Sequence, residues 1–315
     1  KDATFPWTGV LLGSAIIGFW YWCTDQYIVQ RVLSGRDQTQ ARRGAIFGGA
    51  LKLTPVFIFL IPGMIAYALN QQGVITLASS DSAFSTLVKE LLPMGFKGLA
   101  VGGILAALMS SLASLFNSSA TLFTIDFYQK YKPKAPEAEL VRVGRIATVI
   151  VVILGILWIP VMKGIGKVLY AYLQDVQSIL APGIAAAFLL GILSKKITPA
   201  AGLTGLLTGF TIGMFRLIFT VFKGSLNPDG TIYQVFVGTN WLHYEIINFA
   251  IVIVTMIIVS YFTPKIDERR IIGLTLGSAT AEQKAITRAS WNKWDVITSG
   301  LIITVIIVFY AYFWN

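Results

Sequence analysis

About eight apolar segments, each long enough to cross a bilayer, constrain the fold of this chain more than any other feature. They lie near residues 6–30, 44–69, 98–124, 143–162, 168–193, 198–222, 241–262 and 295–314. Only 13% of the 315 residues are charged and the mean hydropathy is +0.71, which leaves too few charges for a water-soluble surface. The sequence therefore predicts an all-α, polytopic membrane protein with about eight transmembrane helices, forming a single transmembrane domain over residues 1–315.

Most of the 25 Lys and Arg residues lie in alternate loops, and this asymmetry orients the segments. The basic loops are 31–43, 130–145, 195–196 and 265–293. Because cytoplasmic loops of membrane proteins carry the excess of positive charge, we expect these loops inside the cell and both chain ends outside. This topology accounts for the net charge of +10 and leaves no basic, aromatic surface for binding nucleic acid.

The segment 102–126 is apolar enough to span a membrane, yet it is rich in serine and threonine. Ala107, Ser110, Ser111 and Ser114 recur at helical spacing, so they share one face of the predicted helix. Hydroxyl and carbonyl oxygens on that face are hard ligands of the kind that a sodium ion prefers. The alternative is that these small residues allow two transmembrane helices to pack closely.

Lys52 lies several residues inside the second apolar segment, where an ammonium group costs about 2.5–3.5 kcal/mol on insertion scales. Its long side chain could extend to the headgroups, since Lys52 is near the cytoplasmic end of the segment. It could instead face a hydrated cavity and donate hydrogen bonds to solute hydroxyls. Pro55 and Pro62 are expected to free backbone carbonyls at Leu51 and Ile58 in the same helix.

Aromatic residues cluster at the end of the first segment, where Tyr21 and Trp22 precede Asp25. Such rings either form an interfacial belt or line a cavity, because their faces stack on the apolar face of a sugar. An acid within the same predicted helix favours a cavity lining.

A second polar cluster, Gln174, Asp175 and Gln177, precedes Pro182 in the fifth segment. It either lines a cavity or marks the outer end of that helix in the headgroup region. Arg216, the isolated charge of the sixth segment, is interpreted as a snorkelling anchor rather than a solute ligand.

These motifs, in this order, resemble the sodium/solute symporter family, and its sodium/glucose cotransporter branch in particular. They are residues 20–26 with Gln30-Arg31, the helix around Lys52, the run from Ala107 to Ser114 continuing to Asn117-Ser118, and Leu173-Gln174 before Leu180-Ala181-Pro182. The resemblance covers essentially the whole chain.

The resemblance implies a transport core of two inverted five-helix repeats. Residues 1–193 would then be the second repeat and 194–315 additional C-terminal helices. The chain begins at Lys1 without a methionine or signal pattern, so we expect a fragment whose missing N-terminal helices complete the transporter.

The resemblance also implies roles for particular residues. A sodium ion would be bound by the backbone oxygen of Ala107 and the hydroxyls of Ser110 and Ser111. The remaining roles concern the solute: Lys52 and Gln174 would contact a sugar, and Tyr21, with Trp22 beside it, would form an inner gate. The chain departs from the pattern at Gly18, where sugar-transporting relatives can carry a polar contact, which leaves the solute open.

We therefore predict a sodium-coupled symporter that imports a sugar or similar small polar solute by alternating access. Its partners would be sodium, the solute and the lipid bilayer, and its location the plasma membrane, specifically a bacterial inner membrane. The alternatives are a symporter for a carboxylate, amino acid or vitamin, a membrane scaffold, and a membrane-embedded enzyme or energy-converting subunit. With one histidine and one cysteine, the sequence lacks the ligand clusters of such an enzyme, so we predict that the chain is not an enzyme.

Overall fold

A computed structural model describes residues 4–165 and 169–313 of the chain. Within these ranges the regular structure is entirely helical. Seven helical spans have the length and composition needed to cross a membrane, one of them the interrupted stretch Gln38–Gln71, and Trp7–Cys23 is a shorter apolar helix of 17 residues. The prediction of an all-α polytopic protein is confirmed.

The helices follow one another with short connections. In chain order they are α1 Trp7–Cys23, α2 Gln26–Leu33, α3 Gln38–Leu51, α4 Ile61–Gln71, α5 Ala83–Leu91, α6 Met94–Thr121, the single turn α7 Gln129–Tyr131, α8 Glu137–Ile165, α9 Leu169–Leu193, α10 Pro199–Val221, the single turn α11 Thr231–Tyr233, α12 Trp241–Phe262, α13 Ala281–Ala289 and α14 Lys293–Phe313. Three π-helical stretches, Val56–Leu60, Leu122–Tyr128 and Gln234–Gly238, and four 3₁₀ turns, Ser80–Ser82, Lys223–Ser225, Glu268–Ile271 and Leu276–Ser278, complete the regular structure.

The first predicted segment is two helices rather than one. α1 ends at Cys23, and Asp25 begins α2 by accepting a hydrogen bond from the backbone N–H of Tyr27 at 3.1 Å. Aspartate at this position satisfies a donor that the start of a helix leaves unpaired. The prediction that Asp25 lies deep within one long helix is therefore wrong.

The second predicted segment is interrupted near its middle. α3 ends at Leu51, residues 52–54 form a turn, and a π-helical stretch over Val56–Leu60 leads into α4. Pro55 cannot donate a backbone hydrogen bond, which explains why the regular helical ladder fails at this point.

The described chain divides into two compact units, and the first consists of Lys1–Ile46 and Leu169–Asn315. In this unit α9, α10 and α12 pack against one another, and α1 packs against α9 and α12. Glycines make the close approach possible: a Cβ added at Gly209 of α10 would lie 2.7 Å from the Cα of Gly183 in α9. One added at Gly9 of α1 would lie 2.7 Å from the Cβ of Leu242 in α12. Small residues at helix crossings are the usual means of packing transmembrane helices closely.

The two ends of this first unit are held by different contacts. At one end, Arg43 pairs with Asp295 at 3.3 Å and Arg42 donates to the hydroxyl of Ser290 at 3.1 Å, so the predicted cytoplasmic loops 31–43 and 265–293 meet. Elsewhere in the unit, near the start of α1, the indole of Trp241 donates to the carbonyl of Thr4 at 3.2 Å.

The second unit is Phe47–Val168. Its internal packing joins α4 with α5 and α6 with α8, and the π-helical stretch Leu122–Tyr128 also contacts α8. Most of α6 is exposed within this unit, and none of the residues in its most apolar stretch is buried. The predicted sodium ligands therefore lie on a helix whose polar face this unit does not cover.

Candidate functional site

The serine-rich face lies on α6, which is one continuous helix from Met94 to Thr121. Ala107, Ser110 and Ser111 are all exposed within their unit. One turn later, the hydroxyl of Ser114 donates to the carbonyl oxygen of Ser110 at 3.1 Å, and that of Ser118 donates to Ser114 at 2.9 Å. Serine hydroxyls bonded back to the preceding turn loosen the regular ladder slightly. The face thus presents the hydroxyls of Ser110 and Ser111. The backbone carbonyls of Ser110 and Ser114 beside them each accept a hydrogen bond from a serine hydroxyl.

Lys52 lies in the turn that interrupts the second segment, and its side chain is exposed within its unit. The carbonyl of Leu51 accepts hydrogen bonds from both the backbone N–H of Thr54, at 3.1 Å, and its hydroxyl, at 2.7 Å. The expectation that Pro55 leaves the Leu51 carbonyl free is therefore wrong, because Thr54 takes the place of the lost donor. What Pro55 does instead is end α3 and place Lys52 at a helix break.

The aromatic cluster closes the end of α1. The rings of Tyr21 and Trp22 meet edge to face with centroids 5.4 Å apart, and Trp20 lies 6.4 Å from Tyr21 on the other side. Tyr21 is half-buried, whereas Trp22 is exposed. The helix break at Thr24 follows immediately, so the cluster sits at the junction of α1 and α2.

Gln174 is half-buried on α9, and its neighbour Asp175 forms an ion pair with Arg216 of α10. The guanidinium donates to one carboxylate oxygen of Asp175 at 3.0 and 3.3 Å, and to the carbonyl of Thr239 at 3.2 Å. It also lies over the ring of Tyr244, 4.3 Å from the centroid.

Both members of this ion pair are buried, since their side chains are only 3% and 8% exposed. The interpretation of Arg216 as a snorkelling anchor is therefore wrong, because its guanidinium is buried in an ion pair with Asp175. By pairing with Asp175, the neighbour of Gln174, Arg216 fixes α9 against α10. The sequence contains no local signal of this contact, because the two residues are 41 positions apart.

The predicted solute and sodium ligands fall into two sets, one in each compact unit. The unit containing α1 and α9 holds Tyr21, Trp22 and Gln174, and these two helices pack against each other. The unit containing α6 holds Lys52, Ala107, Ser110 and Ser111. Their roles in binding stay predictions.

Sequence reasoning missed two buried polar residues on α12, Glu245 and Asn248. The sequence did contain a signal for Glu245, because it is an ionisable residue within an apolar, membrane-spanning segment, as Lys52 is.

Comparison with known proteins identifies the family. Residues 1–209 match the model of the sodium:solute symporter family. The chain is 37% identical to a sodium/mannose cotransporter of Bos taurus, over 99% of this chain and 56% of that protein. It is 37% identical to sodium/glucose cotransporter 1 of Mus musculus, over 84% and 42%, and 38% identical to sodium/glucose cotransporter 4 of Homo sapiens, over 86% and 42%.

The chain spans about half the length of these relatives, while the similarity extends over most of its own length. The family match includes all the helices that carry the predicted ligands, from α1 through α9. This chain belongs to the sodium:solute symporter family.

Proposed function

We propose that this chain contributes half of a symporter that uses the sodium gradient to import a sugar or a similar small polar solute. The observation that carries the proposal is the family match over residues 1–209, together with relatives named for sodium/glucose and sodium/mannose cotransport. The described helices are long and apolar enough for a protein that crosses the membrane several times.

For sodium, we assign the carbonyl of Ala107 and the hydroxyls of Ser110 and Ser111 on α6. An ion that sheds its water in a membrane protein must regain oxygen contacts, and a regular helix offers few free carbonyls. Hydroxyls on one exposed face supply two of these contacts. We expect the other oxygens to come from the part of the transporter that precedes this chain.

For the solute, we assign Lys52, Gln174, Tyr21 and Trp22. An ammonium and an amide can donate to hydroxyl groups, and hydrogen bonds of a charged donor contribute about 1.5–3 kcal/mol each. Aromatic rings supply a surface for the apolar face of a sugar. The buried pair beside Gln174 supports this role, because it fixes the rotation of α9 and hence the direction of the amide.

Coupling follows if the ion and the solute both favour the same conformation. A sodium ion bound to α6 and to another part of the transporter would stabilise the arrangement that accepts solute from outside. The solute would then bind more tightly in the presence of sodium, and by reciprocity sodium would bind more tightly in the presence of the solute.

The test is a sodium titration of solute uptake by the full-length transporter in proteoliposomes. We expect Ser110→Ala and Ser111→Ala to raise the sodium concentration for half-maximal uptake by about one to two decades, since a lost neutral ligand costs about 1–3 kcal/mol. Solute affinity at saturating sodium should change much less.

Ser118→Ala is the matched control, because its hydroxyl already donates to Ser114 within the same helix and it should leave the sodium dependence unchanged. Normal sodium dependence in both test variants, at normal expression, would overturn the sodium assignment.

A solute other than a sugar is the second candidate. Gly18 supports it, because sugar-transporting relatives can carry a polar solute contact at this position. A Cβ added at Gly18 meets nothing within 4 Å, so the position is open yet supplies no polar group. Uptake of a panel of labelled sugars, carboxylates, amino acids and vitamins decides between the classes. Saturable, sodium-dependent uptake of a non-sugar alone would refute the sugar proposal.

We further propose a plasma-membrane location, and specifically a bacterial inner membrane. The basic loops support an orientation with α2 and α13 on the cytoplasmic side. The relatives named above come from animals, so fractionation of the membranes of the source cell is the deciding measurement.

A further inference from the structure

Glu245 is a carboxyl group in the apolar helix α12, which carries none of the predicted solute or sodium ligands. It is 0% exposed, as is Asn248 one turn later. α12 packs against α1, α9 and α10, so both side chains are enclosed on the inner face of this bundle. Positions three apart on a helix are neighbours, so Glu245 and Asn248 share one face of α12.

Three oxygens of this pair have no hydrogen-bond partner among the described residues: both carboxyl oxygens of Glu245 and Oδ1 of Asn248. The amide of Asn248 is oriented by its Nδ2, which donates to the carbonyl of Gly209 at 3.3 Å. The backbone N–H of Ile17 in α1 approaches the Glu245 carboxyl, but not with hydrogen-bond geometry.

Neither carboxyl oxygen of Glu245 has a charged hydrogen-bond partner in the described part of the chain. The titratable or charged groups on the four packed helices are Tyr21 and Cys23 on α1, Tyr170, Tyr172 and Asp175 on α9, Arg216 on α10, and His243, Tyr244 and Tyr261 on α12. The cation among them, Arg216, is paired with Asp175. A buried carboxylate without a partner is among the costliest groups a protein can hold.

We propose that Glu245 is a proton-binding site, and that its protonated carboxyl donates the O–H to Oδ1 of Asn248. A single proton removes the buried charge and gives the unpartnered amide oxygen a donor, so it resolves two of the unsatisfied groups at once. A sodium ion fits less well, because these two side chains offer it only the three unpartnered oxygens. α1 packs closely on this part of α12, since its Gly9 and Gly13 lie directly against Leu242.

The test is infrared difference spectroscopy of the full-length transporter in membranes at neutral pH. The C=O stretch of a protonated carboxyl group absorbs at higher wavenumber than the stretches of a carboxylate. Subtracting the spectrum of Glu245→Gln from that of the wild type should leave a protonated-carboxyl band. Asn248→Leu should shift this band to higher wavenumber, because the carboxyl loses its acceptor.

Glu282→Gln is the matched control, since Glu282 is exposed on α13 and its difference spectrum should show carboxylate bands. Carboxylate bands in the Glu245 difference spectrum would overturn the proposal. Glu245→Met provides a second neutral variant of similar length. Failure of both Glu245 variants to fold would also overturn it, because neutral replacements should be tolerated where the native group is neutral. None of these readouts depends on transport.

Discussion

Replacing Arg216 by methionine should destabilise the protein strongly, because it strands a buried carboxylate. Arg216 is enclosed by Asp175, the carbonyl of Thr239 and the ring of Tyr244, at 3.0, 3.2 and 4.3 Å respectively. Removing one member of a buried ion pair typically costs about 3–5 kcal/mol, since the remaining charge has neither water nor a partner. We expect a loss of this size for Arg216→Met.

The double variant Asp175→Asn with Arg216→Met isolates the pair itself. Replacing both charges by neutral groups removes the stranded charge, and buried ion pairs replaced in this way are often no less stable. We therefore expect the double variant to be more stable than Arg216→Met alone by about 2 kcal/mol or more, a coupling within the range for residues in direct contact.

The assay is the folded fraction after heating or denaturant treatment in detergent, measured for wild type, both single variants and the double variant. Lys130→Met is the control, because Lys130 pairs with Asp126 at 3.6 Å on the surface and such pairs contribute about 0–1 kcal/mol. A loss below about 1 kcal/mol in Arg216→Met, or strictly additive effects in the double variant, would refute the reasoning.

Substitutions at three further positions test the packing and the solute site. Lys52→Ala should lower solute affinity roughly tenfold to a hundredfold while the protein still folds, measured by solute titration of uptake, and near-normal uptake would indicate snorkelling. Tyr21→Phe should keep the ring wall and lose only a hydroxyl contact, whereas Tyr21→Ala should impair uptake severely; equal, mild effects would place Tyr21 in an interfacial belt. Gly209→Leu should destabilise the protein by about 1–3 kcal/mol in thermal unfolding, because its Cβ would lie 2.7 Å from the Cα of Gly183, and full stability would contradict this close crossing.

Hydropathy predicted the helical class and most of the spans because a transmembrane helix needs a long apolar run and little else. It missed the division after Cys23, because Tyr27, Ile28 and Val29 at the start of α2 continue the apolar pattern of α1. The local signal was present: Thr24 and Asp25 are residues that start helices. The same holds at Pro55, where a helix break could be predicted but the capture of the Leu51 carbonyl by Thr54 could not.

Contacts between distant residues could not be predicted from one sequence. From the sequence around each residue, Asp175 and Arg216 could each be interpreted as a group near the headgroups. Only the packing of α9 on α10 shows that they neutralise each other. The sodium ligands proposed on α6 rest instead on a motif. Helical spacing shows that these residues share a face, but not whether an ion or another helix contacts that face. The identity of the solute stays open for a related reason, because the motifs are shared by relatives named for different sugars.

The two interpretations of the serine face, an ion site and a close helix crossing, make different demands on side-chain size. Within the described unit the face is not used for close packing, because Gly98, Gly102 and Gly103 on the same helix meet nothing within 4 Å and Ser110 and Ser111 are exposed. Alanine keeps the small volume that a crossing with another helix would need, but it removes the oxygen that an ion would need. Ser111→Ala therefore impairs sodium dependence only if the hydroxyl is a ligand, whereas a bulkier Ser111→Val would also disrupt a crossing. Equal sodium dependence in wild type and Ser111→Ala, with loss of folding in Ser111→Val, would assign the face to packing.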